Sequence, residues 1–514
     1  MLLNKQNLYI LYSFIAGFSL MTIEIISSRI MAPIIGNSVY TWSSVIGITL
    51  LGLAIGSSVG GIMADKFNNT KILPFIFFIS AICVFIIIPL SKHTDWITNF
   101  SNSIIFINIL LSIYFFLVPA IAIGLIQPVI LKKYAIDFSK IGYKYGLLST
   151  AWSLGSILGV FITGFYFIST IGSLKTILVI GFLLLFLSIL ISLINKEKKT
   201  LYIIIISILI FLFSLITFRL GDKSNTVYNQ ESNYYMIRVV DFNKEPYGQT
   251  RALVLDFDTH SIESEKLIES AYTEIYPAFK IFKSDLKDIL VIGGGAYTLP
   301  KHLKSFYPDS NVSVIEIDPE IEKVANTFFK LNSNIIKTIN GDARFLINKN
   351  DIKYDLIYGD AYNSFISVPG QLLTKEYNDK IKNSLNPNGL YALNFIGSLV
   401  GKNSDLFKSV TNTFKESFPN YYIFAFSNNR PSQIQSITLI GINNQVHQPE
   451  SVIKEALKKK INPFLAEKII LSSQTYTDKK ALILKDDFYP TEKLTANTIK
   501  YYFPYFLSFM REIL

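Results

Sequence analysis

The sequence predicts a multi-span α-helical membrane domain followed by a doubly wound α/β domain, with a small β segment between them. Three observations predict this. Long apolar runs recur from Leu8 to Leu220, charge returns at ordinary density from Gly221 onward, and the later half carries short apolar strands that end in glycine or an acid. A chain of 514 residues also exceeds what one compact core organises. The expected divisions are 1–220 for the membrane domain, 221–280 for the β segment and 281–514 for the nucleotide-binding domain.

Seven apolar runs of spanning length lie at about 8–34, 40–63, 72–90, 103–131, 145–170, 173–194 and 200–218. The connections on the side of the N-terminus collect Lys66 and Lys71, then Lys132, Lys133, Lys140 and Lys144, then Lys196, Lys198 and Lys199. The positive-inside rule makes that side cytoplasmic, and the chain is expected to be a multi-pass protein of a cell membrane, a bacterial inner membrane, with the lipid bilayer as a partner. Glycines crowd the second run (Gly52, Gly56, Gly60, Gly61) and the fifth (Gly146, Gly155, Gly159), as close helix packing requires. Glu24 and Arg29 in the first run stand five residues apart and so face different ways; each is expected to pair elsewhere, or Arg29 to snorkel.

The formal charge of +10 comes from lysines spread through the second half and clustered in the connections between apolar runs, with no basic patch interleaved with aromatics, so nucleic acid is not an expected partner. The sole cysteine, Cys83, excludes an intrachain disulfide and a cysteine-based zinc site, and no metal is expected.

In the second half, Asp288 to Ile292 form an apolar strand running into Gly293, Gly294 and Gly295, followed by a helical stretch from about Tyr297 to Phe306. Glycines there let the backbone turn tightly and approach a ligand. The next strand, Val312 to Ile317, carries Glu316, placed to take both hydroxyls of a ribose. A third, Ile335 to Ile339, ends in Asn340-Gly341-Asp342-Ala343, where a carboxylate can accept from an adenine amino group, and a fourth, Tyr354 to Tyr358, ends in Gly359-Asp360. Any one of these acids could be a helix cap. Together they describe a Rossmann-like sheet with its ligand along the carboxyl edge. With no G-x-x-x-x-G-K-[ST] loop, adenosine without a pyrophosphate fits better than a nucleoside triphosphate.

This half resembles the spermidine synthases, the polyamine aminopropyltransferase family on the class I methyltransferase-type fold, in its membrane-fused branch. Glu231-Ser232-x-Tyr234 and Leu255-Asp256 resemble the family's N-terminal β segment, Tyr272-Thr273-Glu274 its Tyr-His-Glu, and Gly293 to Gly295 with Glu316-Ile317-Asp318 its nucleotide site. Asp360, Pro369 and Leu373 to Tyr377 resemble the catalytic loop and following helix, and Asp486 to Glu492 a closing motif. The resemblance implies that Glu316 holds ribose, that Asp342 with Ala343 meets adenine, that His260 stands where a glutamine meets the nucleoside, and that Tyr272, Glu274 and Asp360 form the catalytic side. S-adenosylmethionine or its decarboxylated form is then the substrate, a polyamine a further partner, and homo-oligomers are left open. Adenosylmethionine is scarce outside cells, so the second half is expected in the cytoplasm. Seven full spans would contradict that, unless one run does not cross or the 103–131 run, with Pro119 and Pro128, is re-entrant or kinked.

The chain departs from the family where the amine end of the substrate is held. Ala296 and Tyr297 replace the acid that grips the donor's aminopropyl ammonium, Asn363 replaces a second acid of the catalytic loop, and Thr273 replaces a histidine. Losing the first acid removes a repulsion against a donor that keeps its carboxylate, so intact adenosylmethionine becomes admissible. The reading leans to acceptor-free, lyase-type cleavage, in which the donor's carboxylate attacks its own γ-carbon and releases methylthioadenosine. Aminopropyl transfer, methyl transfer, and a non-catalytic transporter or sensor of adenosyl compounds are the alternatives.

Overall fold

The computed structural model describes the chain apart from residues 1–4, 68–71, 102, 136–139, 196–204, 207, 210, 214–215, 217–224, 245–247, 265–270, 348–351, 362–367, 428–429, 444–448, 461–468, 471–477, 479 and 514. The chain divides into two compact units, one of Met1–Ser224 with Gln230–Met236, the other of Asn225–Asn229 with Ile237–Leu514.

Among the described residues the first unit holds six helices long and apolar enough to cross a membrane: α1 (Gln6–Ile35), α2 (Val39–Lys66), α3 (Ile72–Leu90), α4 (Ile104–Tyr134), α5 (Ile141–Thr170) and α6 (Ser173–Ile194). The seventh apolar run, 200–218, lies largely outside the described residues. The 103–131 run follows the kinked alternative: it forms one helix, α4, with a π-turn at Ile113–Leu117 and a turn at Leu125. Pro119 lacks the N–H that residue 115 would accept from, and its ring displaces that carbonyl, so the hydrogen-bond ladder slips just before it.

Of the glycines singled out in α2 and α5, Gly52, Gly56, Gly60, Gly155 and Gly159 act in helix packing, whereas a Cβ on Gly61 or Gly146 would meet open space. A Cβ on Gly155 would lie 2.0 Å from the Phe14 carbonyl oxygen of α1, and one on Gly56 2.4 Å from the Ile121 carbonyl oxygen of α4. Any side chain there would push backbones apart. Arg29 finds a partner within this unit: its Nε donates to Glu231 at 3.1 Å, and its two terminal nitrogens to the carbonyls of Tyr234 and Ser232 at 2.6 Å each. Glu231 also accepts from the Ser173 N–H and hydroxyl at 2.7 Å, so a buried ion pair closes over the start of α6. Glu24 differs from expectation. Its Oε2 is sealed from solvent and accepts no hydrogen bond among the described residues.

Four strands follow in sequential order in one sheet: β1 (Thr226–Glu231), whose last two residues belong to the first unit, β2 (Met236–Lys244), whose first does, β3 (Gly248–Leu255) and β4 (Asp258–Ser264). Asp256, at φ 53°, and Phe257 turn the chain from β3 into β4. A 3-10 segment, Ala271–Ala278, leads to the main sheet. Its elements are β5 (Asp288–Ile292), α7 (Thr298–Phe306), β6 (Asn311–Glu316), α8 (Pro319–Phe328), β7 (Ile336–Asn340), α9 (Ala343–Ile347), β8 (Tyr354–Gly359), α10 (Lys375–Asn383), β9 (Leu385–Gly397), α11 (Asp405–Ser417), β10 (Tyr421–Ala425), β11 (Gln435–Ile442), α12 (Glu450–Lys460), β12 (Ile469–Ile470) and α13 (Thr491–Ile513).

The strand order is β7-β6-β5-β8-β9-β11-β10-β12. Strands β7 through β9 run parallel, and β11, β10 and β12 add on antiparallel. The order reverses between β5 and β8, and in open parallel sheets ligands bind at that switch point, beyond the carboxyl ends of the strands. Strands β5 and β8 are apolar along nearly their whole length because helices cover both faces.

Candidate active site

The glycine turn follows β5 directly. The Gly293 N–H donates to the Ile315 carbonyl and the Asp360 N–H to the Ile292 carbonyl, both at 2.9 Å, so the ends of β5, β6 and β8 are tied together. Gly293 sits at φ 98°, and a Cβ there would lie 2.6 Å from the Asp360 carbonyl oxygen. Only glycine meets both conditions. The Gly341 N–H donates to the Glu316 carbonyl at 2.9 Å, which brings in the end of β7. Gly293 to Gly295, Glu316, Asp342 and Asp360 thus share one edge of the sheet.

Glu316 is buried, and its carboxylate accepts from the Gly294 N–H at 2.7 Å and the Asp318 N–H at 2.9 Å. Burial raises its pKa, while those backbone donors pull the other way. Each carboxylate oxygen has a second lone pair, so ribose hydroxyls can still donate to a group already held in place. Asp342 is exposed and its Oδ1 accepts from the Arg344 N–H at 2.7 Å, which makes it the cap of α9. Ala343 is buried beside it.

Asp360 leaves the end of β8 with its carboxylate accepting from Asn394 Nδ2 at 2.8 Å. Asn394 is oriented in turn by Ser436, whose hydroxyl donates to Asn394 Oδ1 at 2.7 Å. Burial pushes the Asp360 pKa up to about 6, against the opposing pull of the Asn394 hydrogen bond. A carboxylate in that range is mostly ionised near neutrality and remains basic enough to take a proton. Beside it, Ile292, Pro369, Leu372, Leu373, Tyr377 and Tyr391 line a small apolar pocket. The Tyr377 and Tyr391 hydroxyls are buried there and make no hydrogen bond among the described residues.

His260 lies where β4 bulges against β3, because Leu253 pairs with Ser261 and Val254 with Thr259. The β4 residue that reaches the glycine turn is its neighbour Ser261, whose hydroxyl accepts from the Ala296 N–H at 3.1 Å. Tyr272 and Glu274 fall on the 3-10 segment, which is anchored where the Tyr307 hydroxyl donates to the Tyr276 carbonyl at 2.8 Å; the side chains of both, like Asn363, lie outside the described residues. Tyr297 is fully buried and its hydroxyl lies 3.0 Å from that of Thr338, so it supplies core packing to the turn.

The closing motif joins this edge. Asp486 accepts from the Thr374 hydroxyl at 2.7 Å and pairs with Arg344, while its own N–H donates to Glu376 at 3.0 Å. A Cβ on Gly370 would lie 2.5 Å from the Tyr489 ring. The segment after Asp360 is therefore clasped by residues more than a hundred positions later. Sequence reasoning missed Asn394, Ser261 and Arg344.

Comparison with known proteins bears on the same region. Residues 269–445 match the family model described as "Spermine/spermidine synthase domain". A polyamine aminopropyltransferase of Vibrio vulnificus is 26% identical over 302 residues, covering 56% of this chain and 98% of that protein. Polyamine aminopropyltransferase 2 of Aquifex aeolicus is 23% identical over 397 residues, 74% of this chain and 77% of that protein, so the likeness extends into the apolar half. Among solved structures, a probable spermidine synthase from Corynebacterium glutamicum covers 47% of this chain and 89% of its own, at 20% identity and a TM-score of 0.38. Sheet order, site edge and family match agree: the second half carries a spermidine synthase-like domain with the class I, Rossmann-type fold.

Proposed function

We propose that the protein is a membrane-anchored enzyme that cleaves the sulfonium C–S bond of an adenosylmethionine-type donor at Asp360 and releases methylthioadenosine. The observation that carries this reading is the position of Asp360 at the switch point, fixed through its backbone to β5 and through its carboxylate to Asn394. Glu316 would take the ribose and Asp342 the adenine side. The relatives' names support aminopropyl transfer from the decarboxylated donor. In that reaction a neutral primary amine attacks the carbon next to sulfur. The new N–C bond forms as the C–S bond breaks, its electron pair passes to sulfur to give a neutral thioether, and the proton shed by the nitrogen goes to the Asp360 carboxylate.

A second reading, acceptor-free cleavage of intact adenosylmethionine, is favoured by one feature. The glycine turn offers Ala296 and a Tyr297 turned into the core in place of an acid, so nothing there opposes the donor's carboxylate. That carboxylate forms the C–O bond as C–S breaks, and no proton moves. The two readings separate in one experiment. Purified protein is incubated with adenosylmethionine alone and with decarboxylated donor plus 1,4-diaminobutane, and the products are identified by mass spectrometry. Methylthioadenosine only in the second mixture supports transfer, and in the first supports cleavage. We read the six apolar helices as membrane spans and place the catalytic half on the lysine-rich, cytoplasmic side, where the donor is found.

A further inference from the structure

The lysine-rich ends of α1, α3, α4 and α6 meet around a small open cleft. Leu8, Leu73, Ile191 and Ile194 form aliphatic walls, and Tyr9, Tyr12 and Lys133 bring polar groups into the same space. The two adjacent lysines of α4 differ in what they meet. Lys132 points outward and pairs with Asp65 at 2.9 Å, whereas Lys133 is half-buried and has no carboxylate within ion-pair distance among the described residues. An ammonium partly withdrawn from water against aliphatic walls calls for an anion.

The lining argues for an amphiphilic anion. A free phosphate gains nothing from aliphatic walls, whereas a lipid phosphate places its charge at Lys133 and the head of its acyl chains along them. The tyrosines suit that level, because their rings favour the boundary between hydrocarbon and headgroups and their hydroxyls donate to phosphate oxygens. Basic pockets between helices at the cytoplasmic face hold lipid phosphates by the same logic. We propose that this cleft binds the phosphate headgroup of an anionic membrane lipid, with Lys133 as its counter-charge and Tyr9 beside it. The proposal rests on the reading that the six helices cross a membrane.

The test uses the full chain purified in detergent, with lipid retention measured by native mass spectrometry against phosphatidylglycerol, phosphatidylcholine and free glycerol phosphate. Wild type should retain phosphatidylglycerol over phosphatidylcholine. Lys133→Ala should lose that preference by about fivefold, the share of one lysine at a lipid surface, with Lys132→Ala unaffected and Lys133→Arg restoring it. Equal loss in Lys132→Ala, no preference in wild type, or glycerol phosphate competing as well as lipid would overturn the proposal. Carbonate extraction of cell membranes tests the spanning reading separately, since a protein that washes off fails that reading whatever lipid it retains.

Discussion

Asp360 combines two properties that pull against each other. Its raised pKa means that the folded state binds a proton more tightly than the unfolded chain does, so ionising it costs stability as pH rises from about 4 through 6. Asp360→Asn should therefore stabilise the protein at pH 7.5, by about 1–2 kcal/mol after allowance for partial exposure, while lowering turnover by roughly 10²–10⁴-fold. Thermal unfolding and a product assay on the same preparation check both. For aminopropyl transfer, kcat should fall as pH drops through about 6, where the carboxylate is protonated. Acceptor-free cleavage lacks that limb, since it moves no proton. Asp360 was legible in the sequence because an acid directly follows a buried apolar strand. Asn394 was not, because it stands inside β9 and reaches Asp360 only through the pairing of β8, β9 and β11.

At the scale of elements, the edge works because the strand ends hold one another. Replacing Glu316 by Gln points an amide N–H₂ at one of two backbone donors, Gly294 or Asp318, and leaves a buried N–H unpaired. Affinity for adenosylhomocysteine, measured by calorimetry, should fall about tenfold or more. The clasp between Asp486, Thr374 and Arg344 is partly exposed, so Asp486→Ala should cost only about 1 kcal/mol in denaturant unfolding. Strands β5 to β8 and their terminal acids were readable from apolar runs closed by glycine or an acid, to within a residue or so at each end. The cap reading and the ligand reading of Asp342 could not be separated there, since the carboxylate that caps α9 stands at the end of β7. The clasp was unreadable as a contact because its partners are separated by more than a hundred residues and joined only by the fold.

At the scale of the molecule, six apolar helices were legible from run length alone, whereas the break in α4 needed the structure to show that Pro119 shifts a hydrogen-bond ladder without reversing the chain. The pairing of Arg29 with Glu231 was not legible, because more than two hundred residues separate them. Arg29→Ala leaves a buried carboxylate without its partner and should destabilise the first unit by roughly 3–5 kcal/mol, read as a loss of folded protein in detergent. A fluorescent reporter that folds only in the cytoplasm, fused after Leu514, should glow in intact cells; a dark, fully expressed fusion would reverse the proposed topology. The central claim, that this site breaks the sulfonium bond on the carbon side, is tested most directly by identifying the nucleoside made from either donor by wild type and by Asp360→Asn. The account predicts methylthioadenosine from wild type, and roughly 10²–10⁴-fold less of it from the variant with decarboxylated donor and amine; adenosylhomocysteine, or no nucleoside product from wild type despite measurable binding, would contradict it.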